Sequence, residues 1–137
     1  MNEDDCIFCK IVRNEIPSKV VYEDDRNLAF LDIYPILKGH TIVIPKNHYK
    51  NLEDIPESSF LETYKVVKKI AKLLHDKLEI EGYNVLQNNF RAAGQVIPHF
   101  HIHIIPREKN DKRFDIKIPR KQATEEELEE ILKIIKK

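Results

Sequence analysis

His99-Phe100-His101-Ile102-His103-Ile104-Ile105-Pro106 alternates imidazole with an apolar side chain three times in succession. A period of two is the pattern of a half-buried strand. Successive side chains then point to opposite faces, so the three histidines share one side while Phe100, Ile102 and Ile104 enter a core on the other. With a rise of about 3.3 Å per residue, neighbouring imidazoles start about 6.6 Å apart and the outer pair about 13 Å. That is too far for all three to grip one small ion without distorting the strand; it suits three histidines with separate tasks along a row. Half of the six histidines in the chain fall within these five positions, in phase. A strand that served packing alone would not need them.

On the amino-terminal side of this strand, the loop over 89–95 contains Gly94, a place where backbone can approach a ligand closely, and 83–88 reads as another strand. Before it lies the longest helix, opened by Pro56-Glu57-Ser58-Ser59 with Ser58 or its neighbour as cap. Apolar residues recur there at Phe60, Tyr64, Val67, Ala71, Leu74 and Leu78, one continuous face, and Gly82 stops the helix. Lys65, Lys68, Lys69 and Lys72 lie largely off that face as solvated surface, and His75 borders it, partly exposed. Earlier still, Gly39-His40-Thr41-Ile42-Val43-Ile44-Pro45 reads as a buried strand after a loop over 35–39. Residues 20–23 and 28–32 read as two strands joined by the polar turn Asp24-Asp25-Arg26-Asn27, and 7–16 as a short helix ended by Pro17. Beyond Pro106 the chain is highly charged, with Phe114-Asp115-Ile116-Lys117-Ile118-Pro119 as an extended arm. Thr124 with Glu127 forms a capping box for a final helix to about Ile135. The pattern is α+β: an antiparallel sheet of about five strands with one long helix packed on it. Residues 1–137 form a single domain without repeats, its core at about 6–107 and a charged extension over 108–137.

At 137 residues the chain can bury a sizeable core. No apolar run approaches the roughly 20 residues of a membrane span, and the acidic start Met1-Asn2-Glu3-Asp4-Asp5 is the wrong charge for a signal peptide; a cytoplasmic protein is expected. Basic and acidic residues balance at 23 each, so no global field favours nucleic acid or a membrane surface, and an anionic ligand must be held by local donors. Abundant Lys, Glu and Ile lean towards a thermophilic source. The only cysteines, Cys6 and Cys9, form a Cys-x-x-Cys pair. A redox dithiol normally follows a strand, and only a short acidic stretch precedes Cys6. A structural zinc needs two further ligands, for which His48 and one triad histidine are candidates. Inert buried thiols are the third reading.

Gly94-Gln95-Val96-Ile97-Pro98-His99-Phe100-His101-Ile102-His103-Ile104-Ile105-Pro106-Arg107 resembles the signature of the histidine triad (HIT) family of nucleotide hydrolases and transferases. The resemblance extends to Cys6-Ile7-Phe8-Cys9-Lys10-Ile11-Val12, Phe30-Leu31-Asp32-Ile33 and Gly39-His40-Thr41-Ile42-Val43-Ile44-Pro45-Lys46, in the expected order. It implies the HIT fold, a homodimer whose sheets join edge to edge, and chemistry at the α-phosphate of a purine nucleotide. By the resemblance, His101 is the nucleophile that forms a nucleotidyl-imidazole intermediate, with a backbone carbonyl fixing its tautomer; His103 donates to phosphate oxygens. Asn88 and Gln95 match neutral donors near the phosphate and the leaving group, and Asp32 matches the residue that binds the ribose hydroxyls. Ile7, Phe8, Ile11, Phe30, Leu31 and Ile33 match the apolar walls around the base, although ordinary packing explains such residues equally well. His40 matches a histidine behind the triad. Members with this Cys-x-x-Cys bind a structural zinc, here implying Cys6, Cys9, His48 and His99; no organic cofactor is implied.

Two positions depart from the pattern. Val96 stands where the Hint branch has a serine that helps bind phosphate or protonate the leaving group, so proton delivery must come from elsewhere. Phe90 replaces a common glycine in the loop after Asn88, where a ring would narrow the pocket or pack under the loop. The leading expectation is a hydrolase of nucleoside phosphoramidates or dinucleoside polyphosphates. Nucleotidyl transfer is disfavoured because transferases of the family carry glutamine where this chain has His103. A zinc-stabilised nucleotide-binding or protein-interaction module with little turnover would keep the same residues.

Overall fold

The computed structural model describes residues 3–112 and 119–137. Five antiparallel strands, β1 (Val20–Glu23), β2 (Asn27–Leu31), β3 (Thr41–Pro45), β4 (Gly82–Leu86) and β5 (Ile102–Arg107), form one sheet in the order β1-β2-β3-β5-β4. Among the described residues three α-helices accompany it, α1 (Ile7–Val12), α2 (Glu57–Leu78) and α3 (Glu125–Lys136), with a short 3-10 turn at Arg91–Ala93. The α+β architecture with one long helix is the one expected from the sequence.

Alternation along the strands separates two cores. Ala29, Val43, Ile102 and Ile104 pack with Phe100 and with Val66, Val67, Ile70, Ala71 and Leu74 of α2. Leu28, Phe30, Ile42 and Ile44 face the other way and pack with Cys6, Phe8, Cys9 and Ile11 at α1. Ile42 of β3 is paired with His103 of β5, so His103 falls on the α1 face, and that face carries the chemistry.

Several boundaries differ from expectation for local reasons. The first helix ends at Val12 rather than near Ile16, because Asn14 turns left-handed (φ 62) and the Glu15 amide returns to the Lys10 carbonyl. The α2 cap is Pro56, without a side-chain hydrogen bond, so Ser58 lies inside the helix. Glu79 at φ 51 ends α2, and Gly82 instead starts β4. The buried face of α2 also takes in Thr63, Val66 and Ile70, while Leu78 lies half exposed over Gly39. Gly39 has φ +92, a backbone conformation that strains any residue with a side chain, and a Cβ there would also displace the Leu78 side chain. The third expected strand therefore narrows to β3, the fourth ends at Leu86, and the histidine strand begins at Ile102, so His99 and His101 precede the ladder. The Thr124–Glu127 capping box of α3 is present in full. The extended arm expected at 114–119 lies, apart from Pro119, outside the described residues. No helix among the described residues is long and apolar enough to cross a membrane.

Candidate active site

His99, His101 and His103 lie on the α1 face, His99 and His101 each oriented by a backbone carbonyl and His103 by the side chain of His40. His101 Nδ1 lies 2.7 Å from the His99 carbonyl oxygen. A carbonyl only accepts, so Nδ1 carries the proton and the Nε2 lone pair is free. Phe8 of α1 stacks edge-on against this ring at 5.1 Å between centroids, and burial lowers the His101 pKa from its ordinary value. The lowered pKa favours the neutral ring, and main chain fixes the direction of its Nε2 lone pair.

At His103 the orientation is relayed. The Ile36 N–H donates to His40 Nδ1 (3.1 Å), so His40 carries its proton on Nε2. That Nε2 lies 2.8 Å from His103 Nδ1, which accepts, leaving His103 with an Nε2–H to donate. Burial, with His101 and His40 as neighbours, lowers the His103 pKa to about 4; burial likewise lowers that of His40. Asp32 Oδ1 accepts the Tyr34 N–H (2.8 Å), and Oδ2 stands 3.6 Å from His40 Nε2.

His101, His103 and Asp32 open onto a cavity of about 450 Å³, a normal size for a small-molecule site. Phe8, Ile11, Phe30, Leu31 and Ile33 line it as expected for the walls around a base. Ile7 does not: α1 turns Phe8 and Ile11, three apart, inward and leaves Ile7 on its outer side, 43% exposed. The lining also includes Ile16, Pro17, Ser18, Tyr34, Ile42, Val96 and Ile97. Of these, the sequence marks Val96 as a departure from the family pattern and Ile42 as part of a buried strand; the others carry no signal.

Gln95 departs from its expected role as a donor to ligand. It is buried, its Nε2 donates to the carbonyls of Lys50 (2.6 Å) and Ile97 (3.1 Å), and its Oε1 accepts the Phe90 N–H (2.9 Å). It braces the loop before the triad. Asn88 stands beside Gly94, where a Cβ would lie 3.7 Å from its Nδ2; among the described residues its side-chain amide makes no hydrogen bond. Phe90 neither narrows the cavity nor packs under the loop. Its backbone takes φ 69, costly for a side-chain-bearing residue and free for glycine, and its ring is exposed.

The amino-terminal end of the row brings four potential metal ligands together. His99 Nε2 donates to the Pro45 carbonyl (2.9 Å), which turns the Nδ1 lone pair towards Cys6 Sγ (3.4 Å) and Cys9 Sγ (3.5 Å). His48 Nδ1 lies 3.3 Å from Cys9 Sγ. A tetrahedral zinc with normal bond lengths holds its sulfur and nitrogen ligands about 3.5 Å apart, so the four ligand atoms fit one ion. Burial, with Cys6 alongside, pushes the Cys9 thiol up to about 12; a divalent cation reverses that preference. The opposite His48 nitrogen, Nε2, is buried without a hydrogen-bond partner among the described residues, so the ring is held from its thiol side. Cys6 caps α1, its sulfur accepting the Cys9 N–H, and the helix start thereby fixes both thiols.

Residues 13–110 match the HIT domain model. An uncharacterized HIT-like protein from Methanocaldococcus jannaschii is 47% identical over 131 residues, 96% of this chain and 98% of that one. An adenosine 5′-monophosphoramidase from Candida albicans is 47% identical, spanning 75% of this chain and 70% of its own. An adenylylsulfatase from Arabidopsis thaliana is 45% identical over 80% of this chain and 55% of its own. Among solved structures, a HIT-family protein from Bacillus subtilis superposes with TM-score 0.89 at 41% identity, covering 96% of this chain and 95% of that one. A zinc-bound histidine triad protein from Mycobacterium smegmatis superposes with TM-score 0.78 at 36% identity, covering 86% of each.

Proposed function

The chain belongs to the histidine triad (HIT) family, and from that premise we propose that it is a nucleotide hydrolase acting at the α-phosphate of a purine nucleotide conjugate. The observation that carries the reading is the pair of orientations on the row: His101 presents a lone pair and His103 presents an N–H at one cavity mouth. His101 Nε2 attacks the α-phosphorus and forms a nucleotidyl-imidazole. Water then attacks phosphorus, and the bond to Nε2 breaks to release the mononucleotide. Two displacements replace one difficult step. His103 donates to a non-bridging oxygen as charge builds there, and Asp32 Oδ2 accepts from the ribose hydroxyls. Two named relatives support hydrolysis while cleaving different bonds, a phosphoramidate in one and an adenylyl sulfate in the other.

Cys6, Cys9, His48 and His99 would hold a structural zinc that anchors α1 and the first triad residue, as the M. smegmatis protein supports. The exposed edge strand β4, with Tyr83 and Val85 half exposed, is the strand through which two copies would join sheets. Rapid quench with a radiolabelled adenosine conjugate tests the hydrolase: wild type should trap a covalent adenylyl group. His101→Ala should trap none and lose turnover by about 10³-fold or more while keeping its circular dichroism spectrum. Full turnover in His101→Ala would overturn the assignment.

A further inference from the structure

Helix α3 has the sequence of a covered helix and, among the described residues of one chain, no cover. Leu128, Ile131, Leu132 and Ile135 recur at the spacing of a single helix face. Each of the four is between 43% and 73% exposed. A lone helix of 12 residues is marginal in water, yet this one carries a complete capping box. Such a helix is stabilised by laying its apolar stripe on another surface. At about 100° per residue, Glu125 and Glu129 border the stripe on one side and Glu127 borders it on the other. The matching surface is therefore an apolar groove with a cationic rim.

Helix α2 carries that surface on its solvent side. Lys65, Lys68, Lys69 and Lys72 share one helix face and, with Leu73, line an open cleft of about 420 Å³. Lysine stems are hydrocarbon and only their ends are charged, so the cleft has an apolar floor and four ammonium groups around it. Lys65 pairs with Glu62 and Lys72 with Asp76 on the same helix, exposed pairs that exchange partners at little cost. The smaller apolar cleft at Leu37, Leu78, Ile80 and Pro106 is rimmed by Lys38 and Glu108. One charge of each sign does not match a stripe bordered by three carboxylates.

We propose that α3 of one copy lies in the lysine-stem cleft of α2 on a second copy, and that the exchange is reciprocal. In a single chain every residue of α3 is exposed, which leaves both the stripe and the cleft open. A two-fold exchange fills two clefts with two helices by one repeated contact. The connecting segment 108–124 can span up to about 60 Å, enough to cross to a neighbouring molecule. This surface is separate from the β4 edge.

Hydrogen exchange over α3 is measured on the full-length protein at low and high concentration, beside sedimentation velocity. The α3 amides should exchange at least about tenfold more slowly in the dimer than in the dilute monomer. Two variants reverse the charges, one carrying Lys68→Glu with Lys72→Glu and the other Glu125→Lys with Glu129→Lys. All four positions are exposed, so the core is untouched. Each variant alone should lose the protection and self-associate at least about tenfold more weakly. Mixed in equal amounts they should regain both, because each α3 then meets a cleft of opposite charge on the other chain. Docking of α3 within its own chain would give the same losses with no recovery on mixing, and would overturn the proposal. So would a dimer whose α3 exchanges at the monomer rate, which sheets joined through β4 alone would give; the hydrolase reading would stand in either case.

Discussion

The two ends of the histidine row are clusters of nearly the same ingredients with opposite wiring. Cys6, Cys9, His48 and His99 bring their ligand atoms within 4.8 Å of one another, and so do Asp32, His40 and His103. By proximity alone both are metal sites. At the first, the Pro45 carbonyl takes the distal N–H of His99 and turns a lone pair inward. At the second, the Ile36 amide occupies the distal lone pair of His40 and forces a proton inward. A cation needs converging lone pairs, so the first cluster suits a metal and the second suits an anion. The partner of the far nitrogen, not the ligand set, decides what a histidine cluster holds.

The largest effect that could break this contrast is on metal and stability together. Zinc content, measured on purified protein, should be one per chain in the wild type and near zero in Cys9→Ser. Removing the ion also removes folding free energy, because a structural metal ties segments distant in sequence, here residues 6, 9, 48 and 99. Cys9→Ser should therefore lower the thermal midpoint markedly, and a chelator should do the same to wild type. Asp32→Asn should leave zinc content unchanged. Zinc lost equally from Asp32→Asn would mean that the second cluster is the metal site.

A smaller effect is expected from cutting the relay at His40. His40→Phe keeps a ring in the buried position but offers no N–H to His103 Nδ1, so His103 is free to take either tautomer. Turnover should fall by about 10- to 100-fold, the range for a group that orients an active-site ligand through a hydrogen bond. Zinc content should not move, and nitrogen-15 spectra should show the loss of a single His103 tautomer. A single unchanged tautomer in His40→Phe would contradict the relay.

The alternation over residues 99–106 announced which side chains share a face, and the sheet face is as read. It did not announce where the ladder begins. A period of two reports facing, whereas a ladder needs a partner, and β3 meets β5 only from Ile102 to Ile104. His99 lies ahead of that pairing, its ring engaged by Pro45 and the two thiols. The Cys-x-x-Cys spacing alone leaves three readings open and the family resemblance favours zinc; the structure brings His48 and His99, 39 and 90 residues away from Cys9, into a cluster compatible with a metal. Gln95 misled for a related reason: an amide in a glycine-containing loop suits a ligand and suits its own loop equally, and only its three partners separate the two. Ile16, Pro17, Ser18 and Ile97 reach the cavity from irregular segments that carry no periodicity. The relay to His103 starts at a backbone N–H, which every residue except proline possesses, so no side-chain pattern could have marked Ile36.

The least disruptive test of the contrast is acid. Where protons are already placed by the backbone, as at His101 and His103, burial works against adding another. The pKa of each is lowered from the ordinary imidazole value of about 6.5, to about 4 for His103. The neutral forms that the chemistry needs therefore persist below pH 6.5, and the acid limb of kcat should lie well under it. Stability follows the same sign. Between about 4 and 6.5 the unfolded chain binds more protons at position 103 than the folded one does, so the contribution of this group is complete above 6.5 and declines as pH falls towards 4. A pH profile of kcat whose acid limb sits at 6.5 or above would mean that both imidazoles titrate as free residues, and the backbone wiring that separates the two ends of the row would then have no hold on their protons.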